Sequence, residues 1–225
     1  MNSPRINIFW FRRDLRFEDN HGLYQALQSG LPVLPLFIFD TDILDLLEDK
    51  QDARVQFIHE SLANMHESLQ AHKSGMYIMH GKPEHCFQQL ISKFNIEKVF
   101  TNHDYEPYAN ERDEKISHLL AQKNIAFQTY KDQVIFEKEE VLKDDGKPYT
   151  VFTPYSRKWK LKLSQSKIKT YPSETLKHQF LNYQAPDFPT LKKIGFQKSG
   201  IAFPAMKVSH EIVRSYAAQI GRAHV

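Results

Sequence analysis

The fold of this chain is indicated first by the stretch Ile6-Asn7-Ile8-Phe9-Trp10-Phe11-Arg12-Arg13-Asp14-Leu15-Arg16. Residues 6–11 form a short apolar run of β-branched and aromatic side chains, which predicts a β-strand. The abrupt change to charged residues predicts that the strand ends there in a polar loop. Four further apolar runs of strand length follow at residues 33–39, 76–80, 98–101 and 126–136.

Helical patterns separate these runs. The clearest consists of Val55, Ile58, Leu62, Met65 and Leu69, whose spacings of three and four residues are typical of an amphipathic helix. Shorter patterns lie around residues 23–27, 87–94 and 116–120. Because strands alternate with helices, we predict an α/β fold: a Rossmann-like five-stranded parallel sheet with helices on both faces, occupying residues 1–136. Ligands of such sheets bind at the carboxyl ends of the strands, where the strand order reverses.

The alternation stops after residue 136. From Tyr149 onward five prolines punctuate the chain, namely Pro154, Pro172, Pro186, Pro189 and Pro204. A loop of this length is uncommon inside one compact domain. We therefore predict a long irregular connector over residues 137–210, running over the sheet domain toward another domain.

A basic segment lies within this predicted connector. It includes Arg157, Lys158 and Lys160, and residues 157–169 contain six basic residues and no acidic one. Trp159 lies near its start. One interpretation is contact with DNA phosphates, which would add to salt-dependent affinity. The other is a solvated face whose apolar members pack on the sheet domain.

Composition excludes several classes of protein. The 225 residues are 41% hydrophobic and 25% charged, with a net charge of only +3, which is ordinary for a globular protein. Cys86 is the only cysteine, so an internal disulfide is excluded. No apolar run approaches the length of a membrane span, and no signal pattern opens the chain. We expect a soluble cytoplasmic protein without a membrane partner.

Common cofactor and catalytic signatures are absent. The chain has no Gly-x-Gly pair, no P-loop and no Gly-x-Ser-x-Gly elbow. His59 and His66 lie one heptad apart but lack cysteine or carboxylate partners at ligand spacing, so no metal site is predicted. No catalytic residue is assigned to this chain.

Three ordered motifs carry a resemblance to a known family. The first is Phe11-Arg12-Arg13-Asp14-Leu15-Arg16 with Asp19, Asn20 and Leu23, and the second is Asn102-His103-Asp104-Tyr105-Glu106-Pro107-Tyr108 with Glu111-Arg112-Asp113. The third is Tyr149-Thr150-Val151-Phe152-Thr153-Pro154-Tyr155 with Trp159 beyond it. Together they resemble the photolyase/cryptochrome family, from about Ile6 to about Gln219.

The resemblance implies a division of labour between domains. Family members carry an N-terminal α/β domain, a connector and a C-terminal helical domain that binds FAD. The N-terminal domain often holds a light-harvesting antenna chromophore, which is a folate, a deazaflavin or a flavin. Residues 211–225 would be the truncated start of the helical domain, with a tail that does not continue the family pattern. Tyr216 resembles the first flavin-contacting tyrosine of that domain.

The implied function is the N-terminal part of a light-driven, FAD-dependent deoxyribodipyrimidine photolyase, which repairs UV-damaged DNA, with this domain as its antenna module. The alternative is a cryptochrome-like blue-light photoreceptor without repair activity. The full-length protein would be a monomer. The present chain alone is expected to be inactive, because it lacks the flavin pocket.

The candidate antenna ligands are polar residues near predicted strand ends: Arg12, Asp14, Asp40, Asn102, Asp104 and Glu106. With Asp113 as the anchor, Tyr108 and Ala109 take the places of the Asn-Glu pair that folate-using members carry, while Asn110-Glu111 falls two residues later. The segment therefore more closely resembles members that use a deazaflavin or a flavin, or whose site is empty. The alternative for each candidate is a side chain that only satisfies loop backbone groups.

Overall fold

The computed structural model describes residues 4–201, 210, 211 and 213–215. Its centre is a parallel sheet of five strands: β1 (Arg5–Phe11), β2 (Val33–Asp40), β3 (Tyr77–Gly81), β4 (Asn95–Asn102) and β5 (Ala126–Tyr130). The strand order is β3-β2-β1-β4-β5. The predicted five-stranded parallel sheet is therefore confirmed. Because the order reverses between β1 and β4, the carboxyl ends of these two strands flank the crevice in which such folds bind ligands.

Helices cover both faces of the sheet, as predicted. They are α1 (His21–Leu27), α2 (Thr41–Leu44), α3 (Ala53–Gln70), α4 (Pro83–Lys93) and α5 (Pro107–Ala121). Strand β1 contributes to both layers, because successive side chains point to opposite faces. Phe9 and Phe11 pack beneath α1 and α3, whereas Ile8 and Trp10 pack beneath α4 and α5. Every residue of β2 is buried, as its apolar sequence indicates.

Strand β5 ends six residues earlier than the apolar pattern predicts. It stops at Tyr130, and the next residues turn away from the sheet. The Asp132 carboxylate accepts a hydrogen bond from the backbone N–H of His21 at 2.9 Å, and Phe136 packs edge-on against Trp159. Phe136 thus packs against another part of the chain and does not extend the strand.

The predicted irregular connector contains regular structure. A 14-residue helix, α6 (Phe152–Gln165), lies in it, together with the short 3₁₀-helices Lys138–Glu140, Ser173–Gln179 and Leu191–Ile194. None of the residues of α6 is fully buried. The end of the strand–helix alternation at residue 136 thus does not exclude a further helix in the connector.

The second half of the connector packs on the sheet domain. Phe180, Leu191, Ile194 and Phe196 are buried in the same core cluster as the inner residues of α1 and α3. These four residues of the predicted connector therefore lie against the sheet domain. Among the described residues, none of the helices has both the length and the apolar character that a membrane span requires.

Candidate functional site

A cleft of about 260 Å³ lies at the carboxyl ends of β1 and β2. Its walls are largely apolar, with Trp10 and the β2 side chains on one side and α2, α3 and the start of α5 around them. The apolar lining residues are Trp10, Phe37, Ile38, Phe39, Ile43, Leu44, Val55, Ile58 and Ala109. An apolar concavity with a few polar groups at one end is the usual form of a small-molecule site. We call it the apolar cleft.

A hydrogen bond links the two sides of the apolar cleft. The Tyr108 hydroxyl on α5 donates to the Asp40 carboxylate at the end of β2, at 2.6 Å. Asp40 also caps α2 by accepting the backbone N–H of Asp42 at 3.0 Å. Burial raises the pKa of Asp40 above its ordinary value, against the opposing effect of these hydrogen bonds. Burial and the neighbouring carboxylate also raise the pKa of Tyr108, so this hydroxyl stays protonated as a donor.

Two arginines hold Trp10 in place. The guanidinium carbons of Arg12 and Arg112 lie 5.2 Å and 4.9 Å from the centre of the indole ring, within the range of cation–π attraction. Nη1 of Arg12 donates to both carboxylate oxygens of Asp113 at 2.6 Å, and Nη2 donates to the backbone carbonyl of Asn102. Burial lowers the pKa of Arg12, although Asp113 opposes the shift. Arg12 is therefore engaged within the protein.

Asp14 and Asn102 belong to a buried hydrogen-bond network. Nδ2 of Asn102 donates to Oδ2 of Asp14 at 2.6 Å and to Oδ1 of Asn20 at 2.8 Å, while its Oδ1 accepts the backbone N–H of Gly22 at 2.9 Å. Gly22 must be glycine here, because an added Cβ would lie 2.5 Å from Oδ1 of Asn102. The network ties the ends of β1 and β4 to the start of α1. The side chains of Asp14 and Asn102 also line a neighbouring cavity of about 300 Å³.

Three charged residues stand at the polar end of the apolar cleft. Arg13 pairs with Asp104 at 3.2 Å and lies 3.9 Å from Glu106, with 58% of its side chain exposed. Because the Arg13 and Glu106 side chains are exposed, they can change partners at little cost. These groups can therefore meet a ligand without breaking the core.

Four of the six predicted ligand residues line the apolar cleft: Arg12, Asp40, Asp104 and Glu106. Asp14 and Asn102 lie in the buried network beside it. Sequence reasoning does not identify Tyr108 and Arg112 as cleft residues, and it misses the apolar wall from α2 and α3. The only signal at Tyr108 is its departure from the folate-using pattern.

The predicted DNA-contacting residues divide into two groups. Lys158 pairs with Asp144 at 2.6 Å. Arg157 and Lys160 are exposed and have no acidic partner in the described part of the chain. Tyr216, the predicted flavin contact, lies outside the described residues. Within the described ranges, no three His, Cys, Asp or Glu side chains come together as a metal site.

Comparison with known proteins supports a relationship over most of the chain. The family model described as DNA photolyase matches residues 7–174. The chain is 32% identical over 203 residues to the deoxyribodipyrimidine photo-lyase of Synechococcus sp. strain ATCC 27144, a match that covers 88% of this chain and 41% of the relative. The chain thus spans less than half the length of that protein.

Solved structures share the fold. A class III photolyase from Agrobacterium tumefaciens superposes with a TM-score of 0.69 at 23% identity, over 97% of this chain and 41% of that one. The archaeal photolyase from Sulfolobus tokodaii, solved with two FAD molecules, gives a TM-score of 0.60 at 24% identity, over 80% of this chain and 42% of that one. With the match of the family model over residues 7–174, the chain belongs to the DNA photolyase family.

Proposed function

We propose that this chain is the N-terminal part of a light-driven, FAD-dependent deoxyribodipyrimidine photolyase, and that its apolar cleft holds an antenna chromophore. The observation that carries the proposal is the apolar cleft itself, at the carboxyl ends of β1 and β2, with Asp40, Asp104 and Glu106 along its edges. The Sulfolobus photolyase with two FAD molecules, whose structure implies a novel light-harvesting cofactor, supports a second chromophore in a protein of this fold.

The lining favours a flat ring over a long polar ligand. A volume of about 260 Å³ lies just below the range of about 300–1,000 Å³ that whole small-molecule sites occupy, so the cleft suits a ring system whose tail remains outside. Asp104 and Glu106 are acceptors for ring N–H groups, whereas Arg12 is engaged by Asp113. These features fit the ring of a deazaflavin or a flavin better than the carboxylate-bearing tail of a folate.

The walls and the polar residues of the apolar cleft would contribute differently to binding such a ring. A chromophore of this class absorbs near-ultraviolet or blue light and passes the energy to the FAD. The aliphatic and aromatic walls exclude water from the ring. Tyr108, held by Asp40, fixes one wall in position. Arg13, with its exposed guanidinium, is placed to neutralise the carboxylates or to meet an anionic tail.

The remaining parts of the activity require residues outside this chain. FAD would bind in a helical domain, with Tyr216 as one contact. UV-damaged DNA would be the substrate, and Arg157, Lys158 and Lys160 of α6 would contact its phosphates, since the pair of Lys158 with the exposed Asp144 can be exchanged at little cost. We further propose that the whole protein is cytoplasmic and monomeric. The 225-residue chain alone should not split pyrimidine dimers in light.

The test of the antenna proposal uses two neighbouring tyrosines. Riboflavin, 5-deazariboflavin and methenyltetrahydrofolate are titrated separately into the chain, and binding is followed by chromophore fluorescence. We expect one of the two flavin-type rings to bind. Tyr108→Phe should weaken that binding about fivefold, because loss of the hydrogen bond to Asp40, worth about 1 kcal/mol, frees the ring that forms the wall.

Tyr105→Phe is the matched control. The Tyr105 hydroxyl also donates to a carboxylate, that of Glu137, at 2.6 Å, but Tyr105 does not line the apolar cleft. Removing the Tyr105 hydroxyl should change the affinity for the flavin-type ring less than twofold. The assignment of this cleft fails if neither flavin-type ring binds, or if the two variants weaken binding equally.

A further inference from the structure

A second groove lies away from the apolar cleft and shares no lining residue with it. It runs between the loop that follows β1, the end of β5 and the segment that follows α6, and its volume is about 480 Å³. We call it the connector groove. Neither the chromophore proposal nor the predicted contacts on α6 give it a role.

The connector groove carries an excess of positive charge. Five basic side chains line it against three acidic ones. Two of the acids are neutralised inside the groove, because Asp132 pairs with Arg16 and Glu140 pairs with Lys131, each at 2.7 Å. The third, Asp19, accepts the backbone N–H of Tyr171 at 2.8 Å.

Three lysines of the groove are left for an external anion. Lys167 and Lys169 are exposed and have no acidic partner among the described residues. Lys162 likewise has no acidic partner within the described ranges; it donates to the backbone carbonyl of Glu140, and its ammonium group lies over the Phe136 ring at 4.9 Å. Three cations along one groove match the repeated charge of a phosphate backbone.

The groove also presents flat and apolar surface beside these cations. His21 and Tyr171 stack face to face, with ring centroids 3.8 Å apart and an angle of 15° between the planes. Val134, Ile135 and Ile168 leave 39%, 43% and 60% of their surface exposed to solvent. Unpaired bases stack on aromatic side chains, whereas a duplex keeps its bases inside. This combination of surfaces suits a single strand better than a duplex.

We propose that the connector groove binds a single-stranded segment of nucleic acid, with phosphates at Lys162, Lys167 and Lys169 and bases against the His21–Tyr171 stack. Arg157 and Lys160 lie earlier on α6, the helix that leads into the groove, and do not line it. An acidic peptide is the competing occupant. The stacked rings favour the nucleic acid, because bases stack on aromatic rings and a peptide carboxylate does not.

The test compares two charge reversals of equal size. A fluorescein-labelled oligothymidylate of about 16 nucleotides, the upper site size of small single-strand binding folds, is titrated with the 225-residue chain and followed by anisotropy. Lys167→Glu with Lys169→Glu should weaken binding on the order of 10-fold or more, because two phosphate contacts become repulsive. Lys192→Glu with Lys193→Glu makes the same change of net charge at exposed positions elsewhere and should weaken binding less than threefold.

Two further measurements distinguish binding in the connector groove from unspecific binding to a basic surface. Lys167→Ala with Lys169→Ala should reduce the slope of log affinity against log salt by about 1.4, since each single-strand phosphate contact contributes about 0.7. An oligonucleotide carrying 5-iodouracil should crosslink under ultraviolet light to Tyr171 or His21, located by mass spectrometry.

The outcomes are distinguishable from those of the chromophore proposal. The reversal at positions 167 and 169 should leave flavin-type binding in the apolar cleft unchanged. The nucleic-acid proposal is overturned if the oligonucleotide does not bind at about 1 mM chain, beyond the usual range for non-specific binding. It is also overturned if both reversals weaken binding equally, or if an oligoglutamate of equal charge competes as well as unlabelled oligothymidylate.

Discussion

Replacing Arg12 with methionine should lower the free energy of unfolding by about 3 kcal/mol, because it removes a buried guanidinium whose hydrogen bonds to a carboxylate are each worth about 1.5–3 kcal/mol. Only 8% of the Arg12 side chain is exposed, and it donates twice to Asp113 at 2.6 Å. Methionine keeps the aliphatic volume beside Trp10 but leaves the Asp113 carboxylate with Arg112, 3.1 Å away, as its remaining arginine partner. Urea unfolding followed by tryptophan fluorescence measures the loss.

Arg13→Met is the matched control for this change. Arg13 is the next residue in the chain and also pairs with an acid, Asp104 at 3.2 Å, but 58% of its side chain is exposed. The exposed guanidinium is well solvated, although only 9% of the Asp104 side chain is exposed, so the control should lose about 1 kcal/mol, less than Arg12→Met. Equal losses of unfolding free energy in the two variants would show that the buried Arg12 stabilises the fold no more than the exposed Arg13 does.

Replacing Asn102 with alanine should lower the free energy of unfolding by about 3 kcal/mol. Its side chain makes hydrogen bonds to Asp14, Asn20 and the backbone of Gly22. Three hydrogen bonds would be lost at about 1 kcal/mol each, and the backbone N–H of Gly22 would remain buried without this acceptor, while Asp14 and Asn20 keep other hydrogen bonds. Denaturant unfolding again provides the measurement, with circular dichroism to confirm that the variant still folds.

Asn110→Ala controls for the loss of an asparagine side chain. Asn110 is exposed on α5 and makes one long hydrogen bond, to the carbonyl of Tyr105 at 3.4 Å. Its removal should change the unfolding free energy by less than about 0.5 kcal/mol, as for most surface substitutions. If Asn102→Ala lost no more than this control, the network would not hold the strand ends together.

Arg12 and Arg13 show why the chemical role of a motif residue is harder to predict than its position. They are adjacent and chemically identical in the sequence, and both follow the first predicted strand. The structure buries the first against Asp113, 101 residues away, and leaves the second at the edge of the apolar cleft. No local pattern contains this distinction, because Asp113, the partner of the buried Arg12, lies on α5, far along the chain.

The apolar cleft also contains residues that the sequence predicts and residues that it does not. The polar candidates Asp40, Asp104 and Glu106 could be predicted, because parallel strands bring their carboxyl ends to one edge. The walls from α2 and α3 could not, since Ile43, Val55 and Ile58 look like ordinary helix-face residues until the helices are placed. The bond between Tyr108 and Asp40 likewise joins residues 68 positions apart.

The sequence by itself determined the five strands, the clear helices and the parallel α/β class, because apolar periodicity is local and a buried face must repeat with the period of its element. It did not determine where β5 ends, because the apolar run continues past Tyr130, and it did not identify α6, which lies beyond the strand–helix alternation. Tertiary structure alone decided which polar side chains became buried supports and which remained at the cleft. The burial and pairing of a charge depend on neighbours that only the folded chain brings together.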